Sequence, residues 1–335
     1  MCTAMSVKTK NNEYIFGRTM DFSYELDPEV YIVPRQYEWI NSLDNSKIYN
    51  KYKFIATGQD IGKIVFVDGM NEKGLAVAAL YFQGFAYFNT LSEKRNSHTP
   101  IGTIELVGFL LGNCSNIEEV INTINNIDII GMEDSITHSV APLHWIVQDK
   151  SGRCITIEKT RKGLEIFNNP LQVLANSPNF EWHMTNLRNY INLSPKQIEQ
   201  SRWESVELTQ FGQGGGSIGL PGDYTSPSRF IKTAFQKSCI ALLNMDYNAV
   251  NMCFNIMKGV FIPKGVILTN RGTYDYTQYT VFMNLNTGDY YFNTHDNSQI
   301  LTANINDSKS LNIISLGKLK QVGEFKHIYK IQGIN

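Results

Sequence analysis

Short runs rich in β-branched and aromatic residues come in blocks, and pairs of helical patterns separate the blocks; this order constrains the fold most. Tyr14-Ile15-Phe16-Gly17-Arg18, Val30 to Val33, Lys63 to Val67 and Leu75 to Phe82 read as strands punctuated by Asn, Asp and Gly. Two helices are predicted next, one from Thr103 to Leu111 and one after Ser115 carrying Ile117, Val120, Ile121 and Ile124 at helical spacing. Strands return at His144 to Val147 and Cys154 to Glu158, with Asp149-Lys150-Ser151-Gly152 as the hairpin turn, and again at Leu171 to Leu174. Helices are predicted over Ser228 to Leu243 and Tyr247 to Lys258. A hairpin of Tyr279 to Met283 and Asp289 to Phe292 closes around Asn286-Thr287-Gly288, and patterning is weak from Asn304 on. The order of strands, helix pair, strands, helix pair and strand pair predicts an α+β chain with antiparallel sheets covered by helices. No repeat, long linker or composition break divides the 335 residues, so one domain over residues 1–335 is expected.

Charge and hydropathy then exclude whole classes of partner. Thirty Lys and Arg against 31 Asp and Glu leave a net charge of −1, so no basic field exists to hold a nucleic-acid backbone. A mean hydropathy of −0.23, with no apolar run near the ~20 residues a membrane helix needs, argues against a membrane span. After Met1-Cys2-Thr3-Ala4-Met5 the chain turns polar, without a basic segment leading into an apolar one, so the expected location is cytoplasmic.

Most of the reactive residue types have plain structural readings. The five cysteines are odd in number and lack C-x-x-C spacing, so neither a disulfide framework nor a structural zinc site is expected. Cys114, Cys154, Cys239 and Cys253 read as small, mostly buried hydrophobes. None of the six histidines has metal-ligand spacing; His144, beside Trp145 in an apolar strand, reads as a hydrogen-bonded core residue. A Cys–His dyad stays open as a weaker catalytic alternative. The glycine-rich stretch from Gly212 to Asp223 lacks the Gly-Lys-Ser/Thr of a phosphate loop and contains Pro221, so it reads as a loop leading into the helix that carries Arg229.

Cys2 carries the sharpest chemical expectation. Loss of the initiator Met would leave one residue with both a thiol and a free α-amine. Their ordinary pKa values, roughly 8.5 and 7.7–8.0, make proton transfer from sulfur to nitrogen cheap, on the order of 1 kcal/mol. The amine can then act as base for its own nucleophile. Arg18 and Asp21 place a cation and a carboxylate at the end of the first strong strand; they could favour the thiolate and orient the ammonium, or form only a surface ion pair.

Several further segments combine with these. Gly17-Arg18-Thr19-Met20-Asp21-Phe22, Asp68-Gly69-Met70-Asn71-Glu72-Lys73-Gly74-Leu75, Leu143-His144-Trp145, Asn176-Ser177-Pro178, Trp182-His183, Gly219-Leu220-Pro221-Gly222-Asp223 and Ser228-Arg229-Phe230, together with Met1-Cys2-Thr3, resemble the choloylglycine hydrolase family. That family holds penicillin V acylases and conjugated bile salt hydrolases, and the resemblance runs from residue 2 to about residue 300. It implies an N-terminal-nucleophile hydrolase fold, a four-layer αββα sandwich with antiparallel sheets. It also implies that Cys2 is the nucleophile and its amine the base, that Asp21 and Arg18 hold the amine and tune the thiol, and that Arg229 completes the charged cluster. Asn176 would supply an oxyanion-hole donor and the backbone N–H of Tyr81 the other. The implied chemistry is hydrolysis of a small acyl amide through a thioester, with no cofactor and no metal, in a homotetramer. Tyr81 stands where the bile salt hydrolases usually have asparagine, which points to the penicillin V acylase branch. Bile salt hydrolysis is the alternative, and cleavage of acyl homoserine lactones or non-catalytic binding of an acyl amide are further ones.

Overall fold

The computed structural model describes residues 1–241 and 248–323. Two large antiparallel sheets dominate it. The first has six strands in the order Val173–Leu174, Cys2–Lys8, Tyr14–Phe22, Tyr276–Asn284, Asp289–Thr294 and Leu301–Asn304. The second has eight: Gly163–Asn168, Cys154–Thr160, Leu143–Asp149, Leu75–Tyr81, Ile64–Asn71, Phe54–Asp60, Glu29–Val33 and Ile314–Lys318.

Side-chain alternation shows how the layers stack, because successive residues of a strand face opposite sides. Along Leu75–Tyr81, Ala76, Ala78 and Leu80 share a core with Phe16, Val281 and Met283 of the first sheet. Leu75, Val77 and Ala79 share a second core with Leu106, Leu110, Ile117 and Val120 of the helices Leu106–Asn113 and Ile117–Asn125. Phe230 and Phe254, from the helices Ser226–Ala241 and Ala249–Lys258, join the first core from the other side. The result is helix pair, sheet, sheet, helix pair. Because both faces are covered, an antiparallel strand such as Leu75–Tyr81 reads as a continuous apolar run. The helix Ile117–Asn125 starts where Asn116 caps it, its side chain accepting the Glu119 N–H at 3.0 Å, and it buries Ile117, Val120 and Ile124 on one face.

Several expectations shift in detail. The first helix starts at Leu106 rather than Thr103, and the strand expected from Leu171 is only Val173–Leu174. The ends of the two later helices at Leu243 and Tyr247 lie outside the described residues. The weakly patterned tail supplies an edge strand, Ile314–Lys318, paired with Glu29–Val33. The glycine-rich stretch is a loop with one short 3-10 turn, Gly215–Ser217, ahead of the helix that carries Arg229. Arg18 is not at a strand end: it lies in the middle of Tyr14–Phe22, opposite Ala4 and Val281.

Candidate active site

The first strand, Cys2–Lys8, pairs with Tyr14–Phe22 so that Cys2 faces Met20 and Ala4 faces Arg18. This hairpin sets the Arg18 Nη2 at 2.7 Å from the Cys2 sulfur. Cys2 is 4% exposed and Arg18 fully buried, so the contact is made out of reach of bulk water. Burial disfavours the Arg18 charge, but Cys2, Tyr279 and Asp68 outweigh it and hold the guanidinium above its ordinary value.

Arg18 is anchored from behind by a residue to which the sequence assigned no role. Its Nη1 sits 3.3 Å from Oδ2 of buried Asp68, and its Nε donates to the Thr19 carbonyl at 2.8 Å. Asp68 in turn accepts from the Tyr279 hydroxyl at 3.1 Å and the Tyr290 hydroxyl at 2.7 Å. Burial and the nearby Asp68 charge raise both tyrosines well above their ordinary values, so they stay protonated donors. Each strand run containing these tyrosines looks like ordinary core in the sequence; only the fold places the two hydroxyls on one carboxylate.

Asp21 and Arg18 do not pair with each other. Asp21 is fully buried and accepts from Thr277 Oγ1 at 2.6 Å and Thr19 Oγ1 at 3.3 Å, while its Oδ2 lies 3.8 Å from Arg229 Nη1. The surface ion pair considered for Arg18 and Asp21 is therefore absent; each carboxylate serves a different arginine. Arg229, from the first turn of Ser226–Ala241, donates through Nη1 to the Cys2 carbonyl and Thr3 Oγ1, both at 2.5 Å, and through Nη2 to Asn176 Oδ1 at 2.6 Å. Burial lowers its pKa, against the pull of Asp21 and Cys2.

Asn176 follows the short strand Val173–Leu174, which pairs with Cys2–Lys8 and so delivers it beside the nucleophile candidate. Its Oδ1 accepts the Cys2 N–H at 2.7 Å, and its Nδ2 donates to the Tyr81 carbonyl at 2.6 Å. Phe82 N–H bonds the Pro142 carbonyl, so by the alternation of an antiparallel ladder both polar groups of Tyr81 point away from Leu143–Asp149. The ladder to Ile64–Asn71 pairs no residue beyond Ala78. The Tyr81 N–H thus lies on the same edge as the carbonyl that Asn176 touches. His183, another residue with no role in the sequence reading, donates through Nε2 to the Asn176 carbonyl at 2.8 Å. Burial pushes His183 down to about 4.

Met1 runs past Cys2, its carbonyl accepting the Asp21 N–H at 3.0 Å and its ammonium pairing with Asp275 at 3.3 Å. The Cys–His alternative finds no support. Among the described residues no histidine ring bonds a cysteine sulfur; His144 bonds Glu158 at 3.1 Å and the Ala175 carbonyl at 3.0 Å as a buried core residue.

Cys2 and Arg18 open onto a cleft of about 140 Å³ whose walls are largely apolar, among them Met20, Phe22, Val65, Ile136 and Leu143. Tyr81 is half-buried on this wall, with Phe22 edge-on at 6.3 Å. A buried thiol beside a fixed cation, at the floor of an apolar slot, suits attack on the acyl carbon of a small molecule with an apolar acyl group.

Comparison with known proteins agrees with this geometry. Residues 2–316 match the linear amide C–N hydrolases, choloylglycine hydrolase family. The chain is 35% identical over 309 residues to the bile salt hydrolase/transferase of Clostridium perfringens, covering 91% of this chain and 93% of that protein. A solved structure of a conjugated bile acid hydrolase variant from Clostridium perfringens superposes with a TM-score of 0.92 at 32% identity, covering 98% of this chain and all of that one. Identity to the penicillin V acylase of Pectobacterium atrosepticum is 22%, over 84% of this chain and 74% of that protein. These similarities lean toward the bile-salt branch, against the penicillin V acylase branch that Tyr81 suggested. One side chain at the cleft wall counts for less than the match along the whole chain.

Proposed function

The chain belongs to the choloylglycine hydrolase family of linear amide C–N hydrolases, and on that premise we propose that it cleaves conjugated bile salts with Cys2, exposed by removal of Met1, as nucleophile. Its four-layer sandwich is the N-terminal-nucleophile hydrolase fold. The observation that carries the mechanism is the 2.7 Å contact between Arg18 and the Cys2 sulfur at the floor of the apolar cleft.

In this reading the Cys2 nitrogen, an amide while Met1 is attached, becomes an amine that keeps Asn176 Oδ1 as acceptor. The amine takes the thiol proton, the sulfur attacks the amide carbon, and the tetrahedral oxyanion forms. An amide Nδ2 carries two hydrogens; one serves the Tyr81 carbonyl, which leaves the second for the oxyanion, alongside the Tyr81 N–H. The amine passes its proton to the leaving nitrogen, the C–N bond breaks, and a thioester remains. Water, deprotonated by the same amine, attacks the thioester and releases the acid and the thiol. Arg18 with Asp68, and Arg229 with Asp21, keep the buried charges of the site in balance.

Bile salts are favoured as substrates by the likeness to bile salt hydrolases along nine-tenths of the chain. Penicillin V is the second reading, and the observation favouring it is the aromatic Tyr81–Phe22 wall, a flat apolar face for an aryl ring. Release of amine from glycocholate, taurocholate, penicillin V and penicillin G, measured side by side, decides between them. Fastest turnover of a bile salt, lost in Cys2→Ala, supports the first reading; fastest turnover of penicillin V supports the second. Turnover retained by Cys2→Ala would overturn both.

A further inference from the structure

The first sheet stops short of Asn176. The ladder to Cys2–Lys8 pairs Leu174 with Ala4 and goes no further, so the backbone at residues 175 and 176 finds partners among side chains. Three side chains serve. Ser226 Oγ accepts the Asn176 N–H at 2.8 Å, His183 Nε2 holds the Asn176 carbonyl, and His144 Nε2 donates to the Ala175 carbonyl at 3.0 Å.

Of the three, His144 alone belongs to the second sheet. It stands on Leu143–Asp149 opposite Leu80, the residue before Tyr81. Its buried ring lies flat on that of Phe82, the residue after Tyr81, with centroids 4.3 Å apart and planes inclined by 7°. Nδ1 is hydrogen-bonded to Oε1 of Glu158 at 3.1 Å, and the same oxygen accepts the Phe180 N–H at 3.0 Å. Glu158 is fully buried as well, so the ring is gripped at both nitrogens and on one face. Burying such a pair costs desolvation that two apolar residues would avoid, which points to a task beyond packing.

We propose that His144, backed by Glu158, is a positioning residue that sets the spacing of the two oxyanion donors. Asn176 is delivered by the first sheet and the Tyr81 N–H by the second. The His144 ring ties the backbone beside one donor to the side chain beside the other. An oxyanion hole works only when both donors meet one oxygen, and a misplacement of about 1 Å can cost roughly a hundred-fold in rate. His144 is not among the residues lining the cleft, so it acts through its neighbours and not on the substrate. The proposal rests on the reading of Asn176 and Tyr81 as the oxyanion donors.

The experiment compares His144→Gln with His144→Asn. Glutamine can place its amide nitrogen where Nε2 was and keep the Ala175 bond; asparagine can place its own where Nδ1 was and keep the Glu158 bond. Both lose the ring against Phe82, so a packing defect strikes both alike. His144→Asn should lower kcat for glycocholate, or for penicillin V if that is the better substrate, roughly ten- to a hundred-fold, with KM within about two-fold. His144→Gln should recover most of that rate and yet unfold at lower urea, because it leaves the buried Glu158 carboxylate without its partner. Should His144→Gln fail to fold, adding Glu158→Gln removes the unpaired carboxylate and restores the comparison. Activity that follows stability across the two variants would overturn the proposal. In the Asn176→Ala background the gap between them should vanish, and a gap that persists would overturn it as well. An unchanged kcat in Asn176→Ala itself would withdraw the oxyanion reading, and the proposal with it.

Discussion

The Arg18 guanidinium lies 2.7 Å from the Cys2 sulfur and is held there by buried Asp68. A charge-assisted contact of this kind is worth about 1.5–3 kcal/mol. Arg18→Leu combined with Asp68→Asn, which avoids an unpaired buried carboxylate, should therefore slow alkylation of Cys2 by iodoacetamide at neutral pH roughly ten- to a hundred-fold. Arg18→Lys should recover part of the rate. An unchanged rate would mean that Arg18 only fills space.

Asn176 touches the Cys2 N–H, Arg229 and the Tyr81 carbonyl at once. As an oxyanion donor it should cost kcat roughly 10²–10³-fold when changed to Ala, with KM moving little. Asn176→Asp keeps the acceptor toward Cys2 and Arg229 but removes the Nδ2 donor, so it should be as slow as Ala. An Asp variant near wild-type activity would assign Asn176 to holding the N-terminus instead.

Tyr81 bears on substrate choice. Its side chain stands on the cleft wall against Phe22, while its backbone edge faces Asn176. Asparagine in its place would offer a hydrogen bond to the polar end of glycocholate and would take away the flat face that suits an aryl ring. Tyr81→Asn should therefore shift the ratio of kcat/KM values toward glycocholate and away from penicillin V, roughly ten-fold. A ratio that stays put would mean that only the backbone of residue 81 matters to the reaction.

His183 makes stability depend on pH. Burial pushes its folded pKa down to about 4 from an ordinary 6.5, so between these values the unfolded chain binds more protons. Stability is then fully present above pH 6.5 and is lost as pH falls toward 4. Between pH 7 and pH 5 the loss from this one group is about 2 kcal/mol. Urea unfolding at both pH values should show His183→Gln losing less stability than the wild type by about that amount. Equal losses in both proteins would show that the ring accepts a proton in place.

The sequence carried the fold where an element is long and its pattern is regular. The helix Ile117–Asn125 has its cap and its buried stripe written in order, and the Asp149 to Gly152 turn joins two strands as expected. It did not carry Cys2–Lys8 as a strand, because Thr3 and Ser6 look polar although both are fully buried in the sheet. The site divides in the same way. Cys2, Arg18 and Asp21 stand out in the sequence, Asn176 and Arg229 come with the family resemblance, and the five are joined in one cluster by hydrogen bonds and the Arg229–Asp21 ion pair. Which acid serves which arginine was not legible, since Arg18 meets Asp68 fifty residues away through the pairing of two sheets. Nor was the bulge that sets Thr57 opposite Asp68 and Gly58 opposite Phe66, because one extra residue changes which face a side chain takes without altering the pattern of apolar residues.

Every step of the proposed reaction depends on Cys2, with a free amine, forming the covalent intermediate. Mass spectrometry of the enzyme, acid-quenched during turnover of glycocholate and then digested, tests it directly. The expected result is an N-terminal peptide that begins at Cys2, without Met1, and carries the mass of the cholyl group on the cysteine sulfur. A fully active enzyme that retains Met1, or an acyl group found on any other residue, would contradict it.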